Sequence, residues 1–120
     1  MCLFAMLATA AWLRPASAGL GTHHQLGLPP CSFRVLLGMR CPACGMTTSW
    51  SHYVRGQWVS SLHANPGGFM LAVLATVVGV GAVRVGYTGR PADPQQTWLI
   101  AIGLIGAMSV ALVDWIVRLV

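Results

Sequence analysis

"PGGFMLAVLATVVGVGAV", residues 66–83, runs for 18 residues without a charge, and "TWLIAIGLIGAMSVALV", residues 97–113, does so for 17. A bilayer core is crossed by about 20 predominantly apolar residues in helical form. Both stretches therefore predict transmembrane helices, bounded at 66–85 and 97–118. Asn65 marks the start of the first, because its side chain can accept from the unpaired amides of the opening turn. Pro66 follows at a position where a missing N–H costs nothing. Between the spans, "RVGYTGRPADPQQ", residues 84–96, holds Gly86, Gly89, Pro91 and Pro94, a turn that sends the chain back and makes the spans antiparallel neighbours. Small residues recur along both: Gly68, Ala72, Ala75 and Gly79, then Gly103, Ala107 and Ala111. Such stripes let helix backbones approach where no hydrophobic force drives packing, and the two are expected to meet. Trp98 and Trp115 fall where interfacial aromatics lie.

Composition agrees with a lipid solvent. The 120 residues hold one domain, 56% hydrophobic and only 8% charged, about a third of the charge of an ordinary soluble domain. All seven basic residues are arginine and both acids are aspartate, so water-facing helices laced with ion pairs cannot be built. The net charge of +5 does not point to nucleic acid: Arg14, Arg34, Arg40, Arg55, Arg84, Arg90 and Arg118 stand singly and form no stripe. They suit anionic headgroups, which makes membrane lipids the expected partners. A membrane-protein partner or a second copy of the chain is also open.

Residues 1–13, "MCLFAMLATAAWL", are apolar up to Arg14, and Ala16-Ser17-Ala18 before Gly19 has the form of a signal cleavage site. No positive charge precedes the apolar run, so residues 1–20 are read as a retained membrane helix, with Cys2 a buried thiol. Residues 21–45, rich in glycine and proline, read as a structured loop. Across residues 46–64, apolar Met46, Trp50, Tyr53, Val54, Trp58 and Leu62 alternate at helical spacing with polar Thr48, Ser51, His52 and Arg55. This predicts one amphipathic helix lying in the interface over the loop, weakened at Gly56 and capped from among Thr47, Thr48 and Ser49. The fold class is thus an all-α integral membrane protein with two to three transmembrane helices, an interfacial amphipathic helix and a cysteine-bearing loop. The expected location is a bacterial inner membrane. If residues 1–20 span, Arg14, Arg34, Arg40, Arg55 and Arg118 share one side, which the arginine bias makes cytoplasmic; a removed signal would instead export the loop.

The loop carries "CPACG", residues 41–45. Two thiolates separated by two residues can converge on one tetrahedral metal, with Pro42 stiffening the turn and Gly45 accepting a left-handed backbone. Cys31 supplies a third sulphur. His52 is the candidate fourth ligand, with His23, His24 and His63 as alternatives. Zinc is the expected metal and copper(I) the second choice. Two other readings stand beside it. Cys41 and Cys44 could form a membrane thiol–disulfide oxidoreductase, with Cys41 activated by the following helix dipole. The chain could equally be a non-catalytic membrane scaffold. With two carboxylates in all and no serine, histidine and acid arranged as a triad, hydrolysis and phosphoryl transfer find no support, and an enzyme is not the first expectation. Asp114 would be functional by default in a membrane helix, but Arg118, four residues on, can pair with it on one face.

The succession Cys31, Gly38, Cys41-Pro42-Ala43-Cys44-Gly45-Met46-Thr47, Gly56 and Asn65-Pro66 resembles the domain of unknown function 2752 family of small bacterial membrane proteins. The resemblance covers roughly residues 28–75, and it departs from the family at Thr48, where arginine is frequent. It implies a few membrane helices and a cysteine-bearing loop, and it brings no activity with it.

Overall fold

The computed structural model describes residues 2–14, 25–27, 29 and 32–119. Among them the chain is all-helical, with six helices: α1 Cys2–Trp12, α2 Ser32–Leu37, α3 Met46–Val54, α4 Trp58–Ala64, α5 Pro66–Thr88 and α6 Pro94–Leu119.

α5 and α6 form the antiparallel hairpin. Asn65 caps α5, its Oδ1 accepting from the Gly68 amide at 2.9 Å, and Pro66 opens the first turn. The helix ends at Gly89, whose left-handed φ of 64° lets its amide reach the Val85 carbonyl at 2.8 Å. Asp93 starts α6 by accepting from the Gln95 amide. At 23 and 26 residues the two helices extend about 35 and 39 Å, enough for a hydrocarbon core about 30 Å thick. Only 22% and 11% of their most apolar windows are buried within the chain. A core helix of a water-soluble protein would hide most of that surface, so hydrocarbon is the solvent these faces fit.

The small residues divide their work differently from the expected stripe-on-stripe contact. Gly67 takes the approach of α6: a Cβ there would press on Ala111 and stand 2.9 Å from the Ala107 carbonyl oxygen. Gly68, Ala72, Ala75 and Gly79 instead seat α1 and α3. Gly68 faces Ser49, Gly79 faces the Phe4 ring, and Ala72 and Ala75 pack with Ala10 and Trp50. Trp50 fills this junction with its indole N–H buried and without an acceptor among the described residues.

α1 has 11 residues and so a length of about 16 Å, near half a bilayer core. Its carbonyl end is held by Arg55, whose guanidinium donates to Ala11 O at 2.9 Å, to Ala10 O at 3.4 Å and to Leu13 O. Ser51 Oγ also donates to Leu13 O, at 2.7 Å. A cation at a helix C-terminus is favourable, and here it ties α1 to α3. Residues 15–20 of the expected N-terminal span lie outside the described residues.

Two local expectations are corrected. The single helix over 46–64 is broken at Gly56, φ 75°, into α3 and α4, and its polar side points inward. Thr48, Ser49, Ser51 and Ser61 are buried, whereas Trp58, Val59 and Leu62 are exposed. The loop over 21–45 also contains α2, which buries no residue and exposes Val35, Leu36 and Leu37.

Candidate functional site

The Cys-Pro-Ala-Cys segment forms a tight turn in which the Cys44 amide donates to Cys41 O at 3.0 Å and the Met46 amide to Ala43 O at 3.1 Å. Gly45 then takes φ 86°, a left-handed conformation that a side chain would strain, and α3 begins at Met46. No side chain caps α3. Cys41 and Cys44 are half-buried, are not disulfide-bonded, and bring their sulphurs to 3.1 Å. Cys44 directly precedes the N-cap residue Gly45, and Cys41 stands three residues before it.

The turn is held from two sides. Asn65 Nδ2 donates to Pro42 O at 3.2 Å and to Cys44 O at 3.3 Å, while the Trp115 indole N–H is given to Arg40 O. Beneath Asn65 lies a buried hydroxyl knot. Ser61 Oγ donates to Ser49 O at 2.7 Å, and Ser49 Oγ lies 3.0 Å from the carbonyls of both Ser61 and Asn65. Such groups can be buried only because each finds a partner. At the end of α6, Asp114 pairs with Arg118 at 2.8 Å, and Arg118 donates onward to His63 O at 2.9 Å. These contacts close a small cleft lined by Cys41, Pro42, Cys44, Asn65, Asp114 and Trp115, among others. Its volume of ≈ 10 Å³ is room for about one water-sized particle.

The sequence-named ligands separate on this geometry. Cys41 and Cys44 come together; Cys31, His23 and His24 lie outside the described residues. His52 stands late in α3 with Nδ1 2.6 Å from Gln57 Oε1, bracing the α3–α4 break. His63 lends its backbone carbonyl to Arg118. Among the described residues no three histidine, cysteine or acidic side chains gather as a metal-binding group. Asn65 and Trp115 were named from sequence only as a helix cap and an interfacial aromatic. Their hold on the turn had no sequence signal, since it depends on the two helix ends arriving beside the loop.

No curated protein and no solved structure matches the chain. The sequence model of the family described as protein of unknown function (DUF2752) matches residues 31–79, from the first loop cysteine to the middle of α5. The turn, its Asn65 clamp and the small-residue seat for α1 and α3 fall inside that match, and over these residues the chain is similar to the domain of unknown function 2752 family.

Proposed function

We propose that this membrane protein carries a thiolate metal site, with zinc the favoured ion and Cys41 and Cys44 as two of its ligands. The observation that carries the reading is the approach of the two sulphurs to 3.1 Å beside a cleft that both cysteines line. Two thiolates each 2.3 Å from a tetrahedral zinc stand about 3.8 Å apart, so the pair needs to open by only about 0.7 Å. The left-handed Gly45 gives the turn the backbone that such a knuckle uses. Cys31 supplies a third thiolate, and a histidine such as His52 or a group from another chain completes the tetrahedral shell. The site is structural or accessory in role, in a bacterial inner membrane. Arg14, Arg40, Arg55 and Arg118 all lie at the loop end, against Arg84 and Arg90 at the other, which favours a cytoplasmic, reducing side for the thiols.

Elemental analysis of the detergent-purified protein, kept reduced, tests the reading. Stoichiometric zinc that disappears in Cys41→Ser and Cys44→Ser is expected. A protein that takes up no zinc or copper(I) on reconstitution under reducing conditions overturns it.

The 3.1 Å separation of the sulphurs favours a second reading, thiol–disulfide exchange. The two thiols would form one S–S bond and pass two electrons and two protons to an external disulfide, which leaves as two thiols. A redox titration in which the pair never oxidises near its compartment's potential excludes this.

A further inference from the structure

We infer that Asn65 is the positioning residue of the thiol pair, registering the cysteine turn against the membrane helix α5. The inference rests on the thiols being the working groups, as in the reading above, and adds the residue that sets their geometry. A carboxamide has one acceptor oxygen and two donor protons, and here all are used in a residue that is 3% exposed. Oδ1 takes the Gly68 amide at 2.9 Å; Nδ2 gives to Pro42 O at 3.2 Å and Cys44 O at 3.3 Å. The cap alone would be served as well by aspartate or serine. Only an amide can also hold two carbonyls of the turn, and these two flank Ala43, one of the two residues that space Cys41 from Cys44.

The bonds fix two of the peptide planes whose rotation would carry the sulphurs apart. The other end of the turn is held at Arg40 O by Trp115, so α5 and α6 jointly frame the segment that bears the thiols. Ser49 Oγ, whose one proton is shared between the Ser61 and Asn65 carbonyls, packs against the capping residue. Asn65 therefore transmits the position of the membrane hairpin to the sulphurs.

The test uses the full chain in detergent with Asn65→Ser, a competent cap that lacks the donor pair. Zinc is titrated in competition with a chromophoric chelator, and the thermal transition is followed in parallel. The expected result is a zinc affinity about tenfold lower or more, the usual size of an outer-shell loss, with the transition retained. Affinity within about twofold of wild type overturns the inference. So does loss of the transition in Asn65→Ser, which would make Asn65 a residue of the fold alone. If the wild type takes no zinc, the metal reading fails by itself, and the alkylation rates of Cys41 and Cys44 decide. A change of more than about twofold in Asn65→Ser supports the positioning role, because thiol reactivity follows the local environment, and equal rates overturn it.

Discussion

Along the α5–α6 hairpin the close contact is made by residues with almost no side chain, Gly67 against Ala107 and Ala111. At the cysteine end it is made by hydroxyls, a carboxamide and an indole that bond to backbone carbonyls. Each material suits its surroundings. Within hydrocarbon, two apolar helices gain little by hiding from lipid, and close backbone approach is what holds them together. Near the interface the chain passes three helix junctions between α2 and α5, and each exposes carbonyls that need donors. The hairpin therefore tolerates no added volume at its crossing, whereas the cysteine end tolerates no lost donor.

The sharpest way to break the comparison is to add one methyl at the crossing. Gly67→Ala would meet Ala111 and the backbone oxygen of Ala107, and a loss of about 3 kcal/mol is expected, the upper part of the overpacking range. Thermal unfolding in detergent measures it. Ala111→Gly added to Gly67→Ala should restore part of the loss. Gly81→Ala, with open space around it, should stabilise slightly through helix propensity. Equal losses at Gly67 and Gly81 would show that helix crossing does not set the stability of the hairpin.

Next in size is the removal of donors at the other end. Arg55→Ala leaves the carbonyls of Ala10, Ala11 and Leu13 without the guanidinium that joins them to α3, at a cost of about 1–2 kcal/mol. The loss should be local: amide exchange accelerates through α1 and stays unchanged in α5 and α6. Arg55→Lys should recover only part of it, because a point charge cannot serve three carbonyls as a planar fork does. Uniform acceleration across all helices would mean that the two regions unfold as one. Smaller again, Gly45→Ala must place a side chain at φ 86° and should cost about 1 kcal/mol. Zinc competition should detect it more readily than unfolding, since the strain falls on the residue next to Cys44.

The same contrast decides what the sequence could reveal. The hairpin was legible because charge-free length, the Asn65-Pro66 start and the turn near Gly89 are local signals that hydrocarbon does not alter. The cysteine turn was legible too, as five consecutive residues. The α3–α4 segment differs from the single interfacial helix that its periodicity predicts, because Gly56 breaks it and hydroxyls fill its inner side. Near lipid the apolar-inward rule inverts: Trp58, Val59 and Leu62 face outward while Ser49, Ser51 and Ser61 form the interior. Serine spacing alone cannot announce that, since a hydroxyl suits either side until a carbonyl from another helix arrives to accept from it. Asn65 shows the same limit. Its cap was visible one turn away, but its donation to Pro42 and Cys44 spans more than 20 residues of chain.

Asp114 gives the smallest expected effect and the finest division between the two regions, because it belongs to α6 yet lines the cleft beside the thiols. Its carboxylate and Arg118 are partly exposed and sit four residues apart on one helix, a pairing worth about 0.3–0.5 kcal/mol. Asp114→Asn should lower stability by no more than that, and the thermal transition should shift barely at all. Arg118 would keep its bond to His63 O, so the end of α6 stays docked to α4. If that is all Asp114 does, zinc affinity and thiol alkylation rates should also stay within about twofold of wild type. A tenfold change in either, with stability intact, would move Asp114 from the helix end to the site. The cysteine cleft would then contain an acid whose pairing with Arg118 competes with its use by the thiols' ligand, and the hairpin would no longer be only the support on which the cysteine turn is mounted.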